Sequence, residues 1–335
     1  MSSKASVICT SLIPRSWELN TKPPRTVYQG LAARSSLTSL DLNFSSSGGP
    51  CPIVVLPPMP NLRKLRVTNM DPLHSTDDIS LLLLHSKKLR DVRLHWSPRI
   101  LEEAEPSINL RLCFGKCIEA RYHMPLNTLV LHNFFGVNIG DLKHICDPEK
   151  VRTIGILNCA GGNLCGPTTS DDGLWKGILE EKCFNNVRSV RCSEVSEQHV
   201  AFLSSVVGLE ELYLIGDKTS ANTSLNEHLD GHMESPNDEI GSPRSTSTCH
   251  SSLARPAEQI DAALCKQYLR ALFTCHGQTI KRLLLHDTWA ISGDQLSELV
   301  SFCPNLDQLG LGISEEEPQA LRLSLIHISE PTRPY

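Results

Sequence analysis

An apolar residue followed by two more, three and five places on, recurs nine times along the 335-residue chain, and no other feature restricts the fold as tightly. The copies begin at Leu37, Leu62, Leu89, Leu126, Val151, Val187, Leu209, Ile280 and Leu306. Their inner pairs are Leu40 and Leu42, Leu65 and Val67, Val92 and Leu94, Leu129 and Leu131, Ile154 and Ile156, Val190 and Cys192, Leu212 and Leu214, Leu283 and Leu285, and Leu309 and Leu311. Side chains alternate between the faces of a strand, so each inner pair points one way and its neighbours the other. One strand this short cannot bury its apolar face alone. Stacking the copies in parallel closes a continuous core, with the return segments packed on one side.

Several return segments carry helical spacing. Asp77 to His85 places Ile79, Leu82 and Leu83 on one stripe, and Val195 to Val207 does so with Val200, Leu203 and Val207, behind Ser196 as N-cap. Ile291 to Phe302 repeats the arrangement with Leu296, Leu299 and Val300, and Pro256 to Cys275 gives the longest amphipathic stretch. Strand then helix, repeated, predicts an α/β fold. Most copies start 22 to 27 residues after the last, two start 36 and 37 after, and one starts 71 after. The shorter intervals match the ~20 to 29-residue period of leucine-rich repeats. The expectation is a leucine-rich-repeat solenoid, a horseshoe with short parallel strands on the concave face and helices on the convex face. The ninth place of such a repeat commonly holds Asn or Cys, and here Cys159 alone conforms.

Composition divides the chain into five stretches. Residues 1–30 carry few apolar positions plus Pro23 and Pro24, and are expected to be flexible. Repeats fill 31–215 and resume over 256–322. Between them, 216–255 is rich in Ser, Thr, Asn, Asp and Gly without aromatics, which predicts a disordered insertion. Residues 323–335 stand apart: Leu323 to Arg333 reads as the translation of a transposase-type sequencing adapter, so this stretch is expected to be an artefact, with the natural chain continuing after Arg322. Thirteen singly scattered cysteines fit reduced, buried thiols. No apolar run reaches the ~18 residues of a membrane span, and the N-terminus makes a poor secretory signal, so the expected location is cytoplasmic or nuclear.

Catalytic motifs fail in turn. The chain has no Gly-x-Ser-x-Gly elbow, no phosphate-binding Gly-x-x-x-x-Gly-Lys-Ser/Thr loop and no His-Glu-x-x-His pair. Cys113 and Cys117 with His123 are the best metal-like group, yet zinc needs four converging ligands and no second pair stands at finger spacing. Neither an enzyme nor a cofactor is expected.

The outward strand positions carry the functional reading. Ten of these 36 positions are Lys or Arg and five are acidic, although the whole chain has 32 basic and 37 acidic residues and a formal charge of -5. Arg63, Lys64, Arg66, Arg90, Arg93, Arg152, Arg188 and Arg191 are the candidate partner-binding cations, with Arg66, Arg93 and Arg191 in one column and His95 and His132 in the next. Tyr213 at the strip's edge is a candidate anchor, whereas Trp96 reads as packing. Like charges gathered in columns suggest an acidic or phosphorylated protein segment. Solubility of a polar face is the plainer alternative, and a nucleic-acid-associated module using the same stripe is the weaker one.

Met59 to Val67 (MPNLRKLRV), Gly208 to Leu214 (GLEELYL) and Cys303 to Leu311 (CPNLDQLGL) resemble the irregular intracellular repeats of F-box-type leucine-rich-repeat proteins, including many fungal ones. In that family an N-terminal F-box docks on a cullin-based ubiquitin ligase through its adaptor while the repeats hold the substrate. The resemblance therefore implies a non-enzymatic substrate-recognition arm. Residues 1–30 show no such helical motif, so the expected adaptor contact needs an F-box that these residues do not supply.

Overall fold

The structure, a computed structural model, describes residues 23–44, 54–71, 78–97, 109–161, 172–193, 195–215, 262–286, 289 and 291–311, and the backbone of 6–9 and 15–16. The expected insertion, 216–255, and the adapter-like stretch, 323–335, lie outside them.

Every one of the nine apolar cores forms a strand: β3 (Ser39–Asn43), β4 (Lys64–Met70), β5 (Asp91–Trp96), β6 (Thr128–His132), β8 (Thr153–Leu157), β10 (Ser189–Cys192), β11 (Glu211–Leu214), β12 (Arg282–Leu284) and β13 (Gln308–Gly310). They lie side by side in chain order as one open, parallel sheet, which β1 (Ser6–Cys9) and β2 (Arg15–Ser16) extend antiparallel beyond β3. A second small sheet pairs β7 (Phe135–Val137) with β9 (Ala160–Gly161).

Register follows the apolar pattern. Leu40, Leu65, Val92, Leu129, Ile154, Val190, Leu212, Leu283 and Leu309 pair successively across the strands, and the first eight are buried. A slip of one residue would turn this whole column to water, so burial enforces the alignment. Beside it runs a second constraint. The carbonyl of the residue after each leading apolar position accepts two N–H groups of the next copy, beginning with Arg63 and Lys64 on Thr38 at 2.8 and 3.0 Å. The series ends with Asp307 and Gln308 on Lys281 at 2.7 and 3.0 Å.

Helices α1 (Arg25–Ala32), α2 (Ser80–His85), α3 (Leu110–Glu119), α4 (Ile139–Ile145), α5 (Asp172–Glu180), α6 (Glu197–Ser205), α7 (Ala262–Ala271) and α8 (Gly293–Phe302) fill the returns. From α2 to α7 each packs on the next, and their apolar faces share one core with the inward strand residues. Ser196 does cap α6, accepting from the His199 N–H at 3.2 Å. Ser292 and Gln295 form a reciprocal capping box on α8. Within the longest predicted helix the described part is α7, followed by a π-helical turn, Leu272–His276. One correction concerns the N-terminus: α1 begins at Arg25 with Tyr28 fully buried, so 25–30 belong to the packed unit and not to a flexible leader.

The strands end in a way that the ninth-place rule missed. Asn69, Asn133 and Asn158 occupy the eighth place of their copies and adopt left-handed backbone, with φ of 58, 61 and 48°. Asn tolerates that region better than most side chains. The buried Asn133 amide donates to the Trp96 carbonyl at 2.7 Å, and the Asn69 amide reaches the Asn43 side chain at 2.7 Å.

Candidate functional site

The sheet face opposite the helices carries the residues between the inward columns. Along it one register column reads Asp41, Arg66, Arg93, Val130, Gly155, Arg191, Tyr213, Leu284 and Gly310. Arg66 and Arg93 are neighbours as expected. Arg191 shares their column, but Val130 and Gly155 stand between, so the expected continuous positive stripe is broken in the middle.

Side-chain partners divide the candidate cations into groups. Arg63 and Lys64 are exposed at the start of β4, and Arg66 approaches Asp41 at 3.8 Å while keeping 60% of its side-chain surface in water. Arg93 is clamped: its Nε and Nη2 donate to the two Asp91 oxygens at 2.9 and 3.0 Å, which holds the guanidinium pKa above its ordinary value. Three others are committed to the backbone. Arg90 donates to the Lys87 and Leu89 carbonyls, Arg152 to Asn186 at 2.9 Å, and Arg188 to Gly208 at 2.6 Å. Their cationic role is thereby largely structural, satisfying turn carbonyls that no strand partner reaches. Gly208 has φ 75°, a left-handed turn that favours glycine, and Arg188 Nη1 lies where a Cβ would stand, so any side chain there would also push the arginine aside.

His95 and His132 pair in register and stack, ring centroids 4.1 Å apart and 11° from parallel. Burial, then the charges of His132 and Arg66, push the His95 pKa down to about 4, so the imidazole is neutral near pH 7. Asn158 stands 3.5 Å from His132 Nε2. Farther along, the Arg191 guanidinium lies over the Tyr213 ring at 4.7 Å. Beyond Tyr213 the charges alternate: Lys281 pairs with Glu210 at 2.8 Å and Arg282 with Glu211 at 2.9 Å. Trp96 is fully buried against Phe134 and takes no part in the face.

Two groups of possible chemistry lie elsewhere. Cys113 and Cys117 sit buried on α3, their thiols pushed up to about 12 and about 11 by burial, while His123 is exposed on the loop beyond. No cluster of three or more candidate metal ligands occurs among the described residues. The second group escaped the sequence reading because its members are 76 residues apart at the extremes. Cys192 Sγ and Tyr268 Oη both approach His199 Nδ1, at 3.5 and 2.9 Å. All three are at most 1% exposed, and burial pushes His199 down to about 3. With Trp175, Phe202 and Trp289 packed around them, they form an aromatic seam joining α5, α6 and α7.

No helix among the described residues is long and apolar enough to cross a membrane. Comparison of the chain with known protein families, curated proteins and solved structures returns no match.

Proposed function

We propose that this chain is a leucine-rich-repeat solenoid serving as a non-enzymatic protein-binding scaffold, with an acidic or phosphorylated segment of its partner held on the concave sheet face. What carries the reading is the exposed face of β4 and β5, where Arg63, Lys64, Arg66 and Arg93 gather on and beside adjacent strands and, among the described residues, Asp41 and Asp91 are the carboxylates paired with them. Repulsion among such cations costs stability in the free protein, and an anionic partner relieves it. The nine strands in chain order, one per apolar core, support the solenoid form. The resemblance of the strand cores to F-box-type proteins favours substrate recognition for a ubiquitin ligase as the setting.

The test is binding to an arrayed set of acidic and phosphoserine peptides by the protein and by its Arg66→Glu, Arg93→Glu double variant. The variant should lose at least tenfold in affinity with unchanged circular dichroism. Equal binding by both would overturn the assignment of this face.

A further inference from the structure

The break in the positive column is itself a site. Val130, outward on β6, is only 9% exposed, and a Cβ placed on Gly155 beside it would come within 2.9 Å of a Val130 methyl. The valine thus leans over the glycine, and the two make a low apolar floor between Arg93 and Arg191 in the column. Thr128 and Thr153 border it on one side, His132 and Leu157 on the other. Guanidiniums stand at both ends, each fixed by an independent contact. Arg93 is clamped by Asp91 through Nε and Nη2, which leaves Nη1 to a ligand; Arg191 is laid over Tyr213 with its Nε buried, so that only its terminal nitrogens can meet one.

Three strand steps separate Arg93 on β5 from Arg191 on β10, and at ~4.8 Å per step this spans about 14 Å. An extended peptide advances ~3.4 Å per residue and turns alternate side chains to one face, so its residues i, i+2 and i+4 cover about 14 Å on the same side. Resting on the partner-binding reading above, we propose that the face selects an extended segment of a partner protein, laid across the strands, with the pattern acidic-x-apolar-x-acidic. Its first acidic side chain meets Arg93, its last meets Arg191, and the apolar residue between them sits on Val130 and Gly155. A small or β-branched centre fits the shallow floor. A charged centre is rejected, since it would be desolvated there without a partner.

Fluorescence anisotropy with three labelled peptides decides the point, each flanked by serines: Glu-Ser-Val-Ser-Glu, its isomer Glu-Ser-Val-Glu-Ser, and Glu-Ser-Val-Ser-Lys. The first should bind at least tenfold tighter than the second, because the shortened spacing forfeits one carboxylate–guanidinium contact. Arg191→Glu should reverse the preference, losing the first peptide and gaining the third; such a gain also certifies that the variant is folded. Equal affinity for both acidic isomers would overturn the spaced seat while leaving an anionic partner in place. Failure of every acidic peptide, including those of the arrayed set, would overturn the underlying reading as well.

Discussion

The same outward positions arrange their charges differently in two regions of the sheet. On β4 and β5, Arg66 and Arg93 stand in register and each is met by a carboxylate on its own or the preceding strand. On β11 and β12, cation faces anion across the strand boundary, Lys281 to Glu210 and Arg282 to Glu211, and the face closes as a neutral zipper. The inward columns meanwhile are alike in both regions. Fold is therefore set by one side of each strand and surface chemistry by the other, and the two vary independently along the chain.

That separation is sharpest in the core. Leu65 and Leu212 occupy equivalent inward sites in the two regions, at most 1% exposed. Either one changed to Ala should cost about 2–5 kcal/mol in urea unfolding, by lost transfer energy and the cavity left behind. A much smaller cost at Leu212 would break the comparison, for it would mean that the second region packs less tightly.

Acid should act next, and differently on each region. His199 and His95 both have folded pKa values below the ordinary 6.5, so the unfolded chain takes up protons first as pH falls. Their contribution to stability is complete above about pH 6.5 and declines as pH drops toward about 3 for His199 and about 4 for His95. The causes differ: burial accounts for His199, whereas the charges of His132 and Arg66 add to burial at His95. Added salt should raise the NMR titration midpoint of His95 and leave His199 unmoved. Equal salt responses would contradict the charge assignment on the open face.

Charge reversal sharpens the contrast further. Arg66→Glu with Arg93→Glu is expected to weaken acidic peptides at least tenfold, while Lys281→Glu with Arg282→Glu should change their affinity by less than about threefold, because Lys281 and Arg282 each donate to a glutamate of the preceding strand copy at 2.8 and 2.9 Å, whereas Arg66 only approaches Asp41 at 3.8 Å and Arg93 is paired on its own strand through two of its three nitrogens. Equal losses would show that peptides follow total charge and not the local arrangement.

How much of this was legible in the sequence follows from the same division. The nine strand cores were readable because burial demands apolar residues at fixed alternation, and no substitution at Leu65 or Ile154 escapes that demand. The cations were readable as a set but not in their uses. Arg90, Arg152 and Arg188 look like Arg66 in the sequence, yet they reach turn carbonyls whose positions depend on how one copy seats against the next. Val130 and Gly155 interrupt the stripe visibly once the copies are aligned; what the alignment lacked was the packing of one over the other. The left-handed asparagines were also within reach, since Asn69, Asn133 and Asn158 recur at one place, a residue before the one inspected. The seam of Cys192, His199 and Tyr268 was not, because it crosses the longest interval between copies.

The smallest effect concerns the ion pairs. Lys281 and Glu210 keep 51% and 40% of their side-chain surface in water, so Coulomb gain is nearly cancelled by ordering two long side chains. A double-mutant cycle to Ala should return about 0.2–1 kcal/mol. Arg93 and Asp91 are less exposed, at 39% and 17%, and meet through two parallel hydrogen bonds, which favours a larger coupling from the same cycle. Yet the weaker pair spans 71 residues of chain and the stronger one spans two. The zipper's small energy ties together strands far apart in sequence, whereas the Arg93 clamp only fixes the direction of a guanidinium. If the cycles came out in the reverse order, Arg93 would not be pre-set by Asp91, and the spacing read from its position would lose its anchor.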